Sequence, residues 1–175
     1  MSRVMSLDEK REFIQDHLYH ELCCLLEATT VWQIYKNNQA GCDVSVAMDS
    51  AFIHARNLFV FFAPTKNDSK NDNSVKVTEF GPKSTYKSGI YSTWKVALNR
   101  HLFHLDVDRF KPTNQKNSGA LQDKVKIFAD EILRLWRLFE NDPEAEKVKI
   151  TVYCARLRAV EDARNTANER IVSLF

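Results

Sequence analysis

Apolar residues recur at three- and four-residue steps along four separate stretches of this 175-residue chain, and that period belongs to the α-helix. Ser6-Leu-Asp-Glu9 has the spacing of a capping box, in which two side chains satisfy the first orphan amides of a helix. Ile14, Leu18, Leu22, Leu25 and Thr29 follow as a single seam, and the helix they predict runs to about Lys36. A second helix spans about Asp43 to Phe62, with Met48, Phe52, Ala55, Phe59 and Phe62 on its seam and Pro64 as its stop. A third, about Ile90 to Leu105, carries Trp94, Leu98, Leu102 and Leu105. The fourth, about Leu121 to Glu140, repeats Val125, Phe128, Ile132, Leu135 and Phe139.

Between these helices lie polar loops at Thr65–Ser74 and Lys111–Gly119, and Val75–Phe80 reads as a short extended piece. The final segment, Glu144 to Phe175, opens with the ambiguous Val148-Lys-Ile-Thr-Val-Tyr153. It continues as Ala155-Arg-Leu-Arg-Ala-Val-Glu-Asp-Ala-Arg164, which favours helix. Only four glycines and four prolines occur, too few for the tight turns of a many-stranded sandwich or barrel. The expected fold is all-α: a four-helix bundle over residues 1–142, with residues 143–175 as a helical extension packing on the same domain.

Composition narrows the function. Apolar content of 44% and charged content of 27% are ordinary for a globular chain, and a net charge of +2 neither demands nor forbids a polyanionic partner. The four cysteines (Cys23, Cys24, Cys42 and Cys154) include no Cys-x-x-Cys pair, so no zinc ribbon or thiol redox site is expected. The first dozen residues lack an apolar signal core, and no run reaches the roughly 18 apolar residues of a membrane span. A cytoplasmic chain without membrane contact is the expectation. No phosphate-cradling glycine loop, dinucleotide fingerprint or nucleophile turn is present, and no cofactor is implied.

The densest chemistry lies in Asn99-Arg-His-Leu-Phe-His-Leu-Asp-Val-Asp-Arg109. On a helix, Arg100 and His104 stand one turn apart on the same flank, whereas Asn99 and His104 point roughly 140° apart. Histidine titrates near neutral pH and arginine grips phosphate oxygens, so the pair suits phosphate chemistry. The same residues also suit a polar flank that closes a helix, with His104 bonded to a loop carbonyl.

Two elements resemble a known family. His54-Ala-Arg-Asn-Leu-Phe-Val-Phe-Phe62 and Asn99-x4-His104-Leu-x3-Arg109 are similar to paired elements of uncharacterised helical proteins related to the HEPN superfamily. The resemblance covers about residues 7 to 140. It implies a HEPN-like four-helix bundle that often dimerises, and many such proteins are metal-independent endoribonucleases of bacterial defence and toxin systems while others are non-catalytic. Their motif is an arginine followed by a histidine further along the same helix. Here His104 takes the histidine position and Asn99 the arginine slot, while Arg100 sits one residue closer than the pattern. The resemblance therefore implies degenerate or absent nuclease chemistry, with His104, Arg100 and Asn99 as the catalytic candidates. Arg56, Arg109 and His54 are the candidates for RNA or phosphate contact. RNA, a second copy of the chain and a cognate protein are the implied partners, and no metal is implied. A non-catalytic dimerising or partner-binding module is the rival reading.

Three further features carry expectations. His17, His20, Glu21 and Cys24 share a flank of the first helix, as solvated side chains, a dimer face or, more remotely, metal ligands. His54 is expected against the third helix and Arg56 against a loop carboxylate. Phe61 falls outside the seam of the second helix and reads as a partner surface.

Overall fold

A computed structural model describes residues 4–36, 41–65, 68, 74–102, 123–147 and 162, excepting the side chains of 41–45, 100–102 and 146–147. The elements in chain order are helix α1 (Leu7–Glu12), a π-helical turn (Phe13–Leu18), α2 (Tyr19–Tyr35), α3 (Gly41–Phe62), a 3₁₀ turn (Val77–Phe80), α4 (Gly89–Leu102), α5 (Val125–Glu140) and a second 3₁₀ turn (Pro143–Lys147). No strand occurs among the described residues, and the all-α expectation holds for them. The extension expected over residues 143–175 falls outside the described residues, apart from its first turn and Asp162. So do most of the two polar loops.

The first rod starts as its sequence demands. Ser6 Oγ accepts from the Glu9 amide at 3.2 Å, and Glu9 Oε2 accepts from the Ser6 amide at 2.8 Å. Phe13 and Tyr19 keep right-handed helical dihedrals, so α1, the π turn and α2 run on as one helix. The Tyr19 amide donates to the Ile14 carbonyl, five residues back, which marks the widened turn. Periodicity alone did not reveal this turn, because Ile14 and Leu18, both within it, are buried at the four-residue step of an unbroken seam.

The predicted seam of α3 is buried in full: Met48, Phe52, Ala55, Phe59 and Phe62. Its burial extends further, to Ala47, Ala51, Leu58 and Phe61, because α3 packs against α2, α4 and α5 together. Aromatic rings fill the joints. Phe59 stacks on Tyr91 of α4 at 4.8 Å between centroids, and Phe52 and Phe59 meet Phe128 of α5 edge-on at 5.9 and 6.0 Å. The α5 seam (Val125, Phe128, Ile132, Leu135 and Phe139) is buried as expected, although the helix begins at Val125, after a turn at Asp123–Lys124.

Two expectations are corrected. Phe61 is no partner surface: it is 4% exposed and packs on Phe13, Phe62, Phe80 and Phe139. Phe13 of the first rod, Phe80 and Phe139 of α5 cover the face that a lone amphipathic helix would leave open. Val75–Phe80 is not extended either. Glu79 draws the chain into a 3₁₀ turn by accepting from the Lys76 amide at 2.9 Å and donating its own amide to the Lys76 carbonyl at 3.0 Å. Val77 and Phe80, three residues apart, then bury on one face.

Gly81 follows this turn at φ 122°, where side-chain-bearing residues are rare. A Cβ there would run into the Glu144 carbonyl of the second 3₁₀ turn. The joint between the two turns therefore needs glycine. Tyr86 ties the same corner by donating its amide to the Phe62 carbonyl at 2.9 Å and its hydroxyl to Asp142 at 3.3 Å.

At the start of α4, Ser88 caps the helix by accepting from the Tyr91 amide at 3.1 Å. Glu131 and Arg134 of α5 hold this cap: Arg134 pairs with Glu131 at 2.7 Å and donates to the Lys87 carbonyl at 3.1 Å. The start of α4 is thus docked on α5 by polar contacts rather than by propensity.

Phe61→Ala should cost about 3–5 kcal/mol of folding free energy through cavity formation, read as a lower urea midpoint with an unchanged slope. Gly81→Ala should also destabilise, because neither the backbone angle nor the Glu144 carbonyl can accommodate the methyl group.

Candidate functional site

Polar side chains collect where α2, α3 and α4 meet. The central helix buries much of its surface, and three of its polar residues find partners on the helices to either side. His54 of α3 reaches Glu21 of α2, with Nδ1 and Oε2 2.9 Å apart. Asn57, almost one turn on, donates from Nδ2 to the same oxygen at 3.2 Å. Arg56 turns the other way, and its Nε donates to Asn99 Oδ1 of α4 at 2.9 Å.

Beside this edge lies a buried ion pair. Lys95 of α4 meets Asp68 at 2.7 Å, with side chains only 13% and 11% exposed. The other oxygen of Asp68 accepts from the Thr65 amide and hydroxyl, both at 2.8 Å, and from the Tyr91 hydroxyl at 3.4 Å. Four donors around one carboxylate offset the desolvation that a buried charge incurs.

These groups border a cleft of about 400 Å³. Glu21, Arg56, Asn57 and Asp68 supply its polar lining, and Phe13 and His17 of the π turn stand at its rim, with their rings 5.4 Å apart. Leu18, Leu58 and Phe61 provide a buried floor. π turns are rare and recur at functional sites because they displace side chains from the regular helical stripe. Here the turn contributes Phe13, His17 and Leu18 to the lining.

Protonation follows from the contacts. Burial pushes the Glu21 carboxyl up, but the His54 hydrogen bond and charge, with the Asn57 amide, outweigh it and hold the group below its ordinary value. For Asp68, burial again opposes ionisation and is outweighed by Lys95 and Thr65, so this carboxyl is also lowered. Burial, then the Asp68 charge, pushes the Tyr91 hydroxyl well above the usual phenol range, with Arg56 opposing. Both carboxylates are therefore acceptors at neutral pH, and Tyr91 is a donor.

The sequence-predicted residues separate into two sets. Arg56 and Asn99 are brought into contact, and His54 stands almost one turn away from Asn57 on the same edge. The backbone of Arg100 continues α4, with its side chain outside the described residues, and His104 and Arg109 also lie outside them. His54 pairs with the first rod, not with α4, because the α3 edge that carries it faces α2. Arg56 meets an amide on α4 where a loop carboxylate was expected.

The polar flank of the first rod divides in the same way. Glu21 turns to His54, His20 lies 3.5 Å from Cys24 Sγ, and His17 packs on Phe13. Among the described residues, no three His, Cys, Asp or Glu side chains converge to hold a metal ion. No described helix is long and apolar enough to cross a membrane.

Sequence reasoning missed Asp68, Lys95, Thr65 and Tyr91. The Thr65-x-x-Asp68 spacing was a signal for the local turn, but nothing local announces that Lys95, some thirty residues on, completes it. No family model, curated protein or solved structure matches this chain.

Asp68→Asn should destabilise by about 3–5 kcal/mol, because Lys95 is left buried without its counter-charge, and Asp68→Asn with Lys95→Met should recover much of that loss. Both lowered carboxyls also set a direction with pH. Their contribution is fully present above the ordinary carboxylate values of 4.5 and 3.8, and it is lost as pH falls through the lowered folded-state values. Urea midpoints measured from pH 7 down to pH 3 should therefore fall, and the fall should be shallower in Asp68→Asn.

Proposed function

We propose that this chain is a HEPN-like helical module that binds RNA in a bacterial defence or toxin setting, with degenerate or absent metal-independent nuclease chemistry. The observation that supports this reading best is the hydrogen bond from Arg56 to Asn99. It joins the His-Ala-Arg-Asn element of α3 to Asn99, the first residue of the Asn-x4-His element. A cleft with a guanidinium at its edge suits a phosphodiester backbone approached by unpaired bases.

The chemistry of the arginine slot argues for binding over cleavage. A neutral amide at position 99 supplies no positive charge to a phosphorane, and its oxygen is already engaged by Arg56. The residues assigned to cleavage, if it occurs, are His104 as general acid or base and Arg100 as the displaced cation. Arg56, His54 and Arg109 are assigned to RNA contact.

The deciding experiment incubates purified protein with varied single-stranded RNAs in EDTA, comparing wild type with His104→Ala, Arg100→Ala and Arg56→Ala. Binding without cleavage, weakened about tenfold in Arg56→Ala and shallower in its salt dependence, is the expected result. Cleavage that is lost in folded His104→Ala and Arg100→Ala would replace degenerate chemistry with an active nuclease. Absence of RNA binding would overturn the reading.

A second reading, a dimerising helical module, is favoured by the exposed apolar side chains Val31, Ile34 and Tyr35 on α2 and Val46 and Ile53 on α3. Light scattering on wild type and Ile34→Lys should report a dimer that the lysine converts to monomer. A monomeric wild type dismisses that reading.

A further inference from the structure

We infer that the cleft between the π turn and α3 is a pocket for a guanine base, selected through the paired acceptors of Glu21 and Asn57. This deepens the RNA reading, and it rests on that reading only for the source of the base.

The argument starts from the Asn57 amide. Its Nδ2 donates to Glu21 Oε2, and a carboxylate can only accept, so the contact fixes which way the amide faces. Its Oδ1 is then turned away from the carboxylate as a second acceptor. His54 and Asn57 both use Oε2 of Glu21, and Oε1 has no hydrogen-bond partner among the described residues. Two touching side chains in one wall of the cleft therefore each retain an acceptor.

Among the four RNA bases, only guanine presents two adjacent donors, N1–H and N2–H, on its Watson–Crick edge. Adenine and cytosine set an acceptor beside their donor, and uracil has a single donor between two acceptors. Against a pair of acceptors each of these would place lone pair on lone pair, which is costly when the edge is desolvated.

The rest of the cleft fits the same ligand. A volume of about 400 Å³ lies within the range of pockets that hold small ligands. Half-buried Phe13, with Val60 and Val75, gives the base an aromatic and aliphatic wall to lie on. Arg56 lines the cleft on the same helix as Asn57 and supplies a cation for the attached phosphate. Glu21 stays ionised through its His54 and Asn57 contacts, which keeps it an acceptor at neutral pH.

The test is calorimetric titration of the full chain with guanosine, inosine, adenosine and uridine 5′-monophosphates. Guanosine monophosphate should bind about tenfold tighter than the adenosine and uridine nucleotides, the scale of one well-made hydrogen bond in a desolvated site. Inosine monophosphate, which lacks the N2 amino group, should lose about as much. Asn57→Ala should abolish the guanine preference, and because Asn57 is exposed, thermal denaturation should show its fold intact. Glu21→Gln also disturbs the His54 pair, so Asn57→Ala is the variant that decides. Equal affinity for all four nucleotides, an unchanged preference in Asn57→Ala, or no binding at millimolar nucleotide overturns the pocket.

Short single-stranded RNAs with and without guanosine separate the two readings. RNA binding without guanine preference overturns the pocket and keeps the RNA module. Guanosine monophosphate binding with no affinity for guanosine-containing RNA keeps the pocket and overturns the RNA module.

Discussion

The burial of α3 is the constraint on which the rest of the structure depends. A helix flanked by α2, α4 and α5 has little surface left for water, so Phe52, Phe59 and Phe62 meet rings from two other helices. Each such ring removes a large apolar area from water, and edge-on or offset contacts add a further increment. The same crowding confines the polar residues of α3 to its edges. His54, Arg56 and the exposed Asn57 are each bonded to a side chain on an adjoining helix.

This packing explains why the candidate site is preorganised. Glu21 is held by two donors from α3, and Arg56 is held by Asn99 of α4, so the cleft wall is set by interhelical bonds rather than by flexible surface chains. The Asp68–Lys95 pair works similarly on the far side, fixing the turn after α3 against α4 through Thr65 and Tyr91. A buried pair of this kind is weak evidence for added stability but strong evidence for a specified geometry, since either charge alone would be costly.

The polar groups also divide the site by protonation. Glu21 and Asp68 are kept as acceptors, Tyr91 is kept as a donor, and Arg56 carries a permanent charge. Carboxylate acceptors and a cation in one lining are the chemical complements of donors and negative charge. Phe13 and His17 of the π turn belong to that lining.

The helices were legible in the sequence because burial imposes a 3.6-residue period, and Ile14 through Thr29, Met48 through Phe62 and Val125 through Phe139 obey it. The Ser6–Glu9 cap was legible because it is completed within four residues. His54, Arg56 and Asn99 were legible as polar residues worth attention, since charge and imidazole stand out against an apolar seam. What they touch was not. The Glu21–His54 contact spans 33 residues and Arg56–Asn99 spans 43, and no local pattern encodes which helix edge faces which. The burial of Phe61, the closeness of Gly81 to Glu144 and the Asp68–Lys95 pair likewise depend on how separate segments return to one another. Helix identity is a property of neighbouring residues and their period, so the sequence by itself determined it. The site is a property of helix packing, whose angles and registers are chosen by all the interfaces at once, and only the tertiary structure decided it.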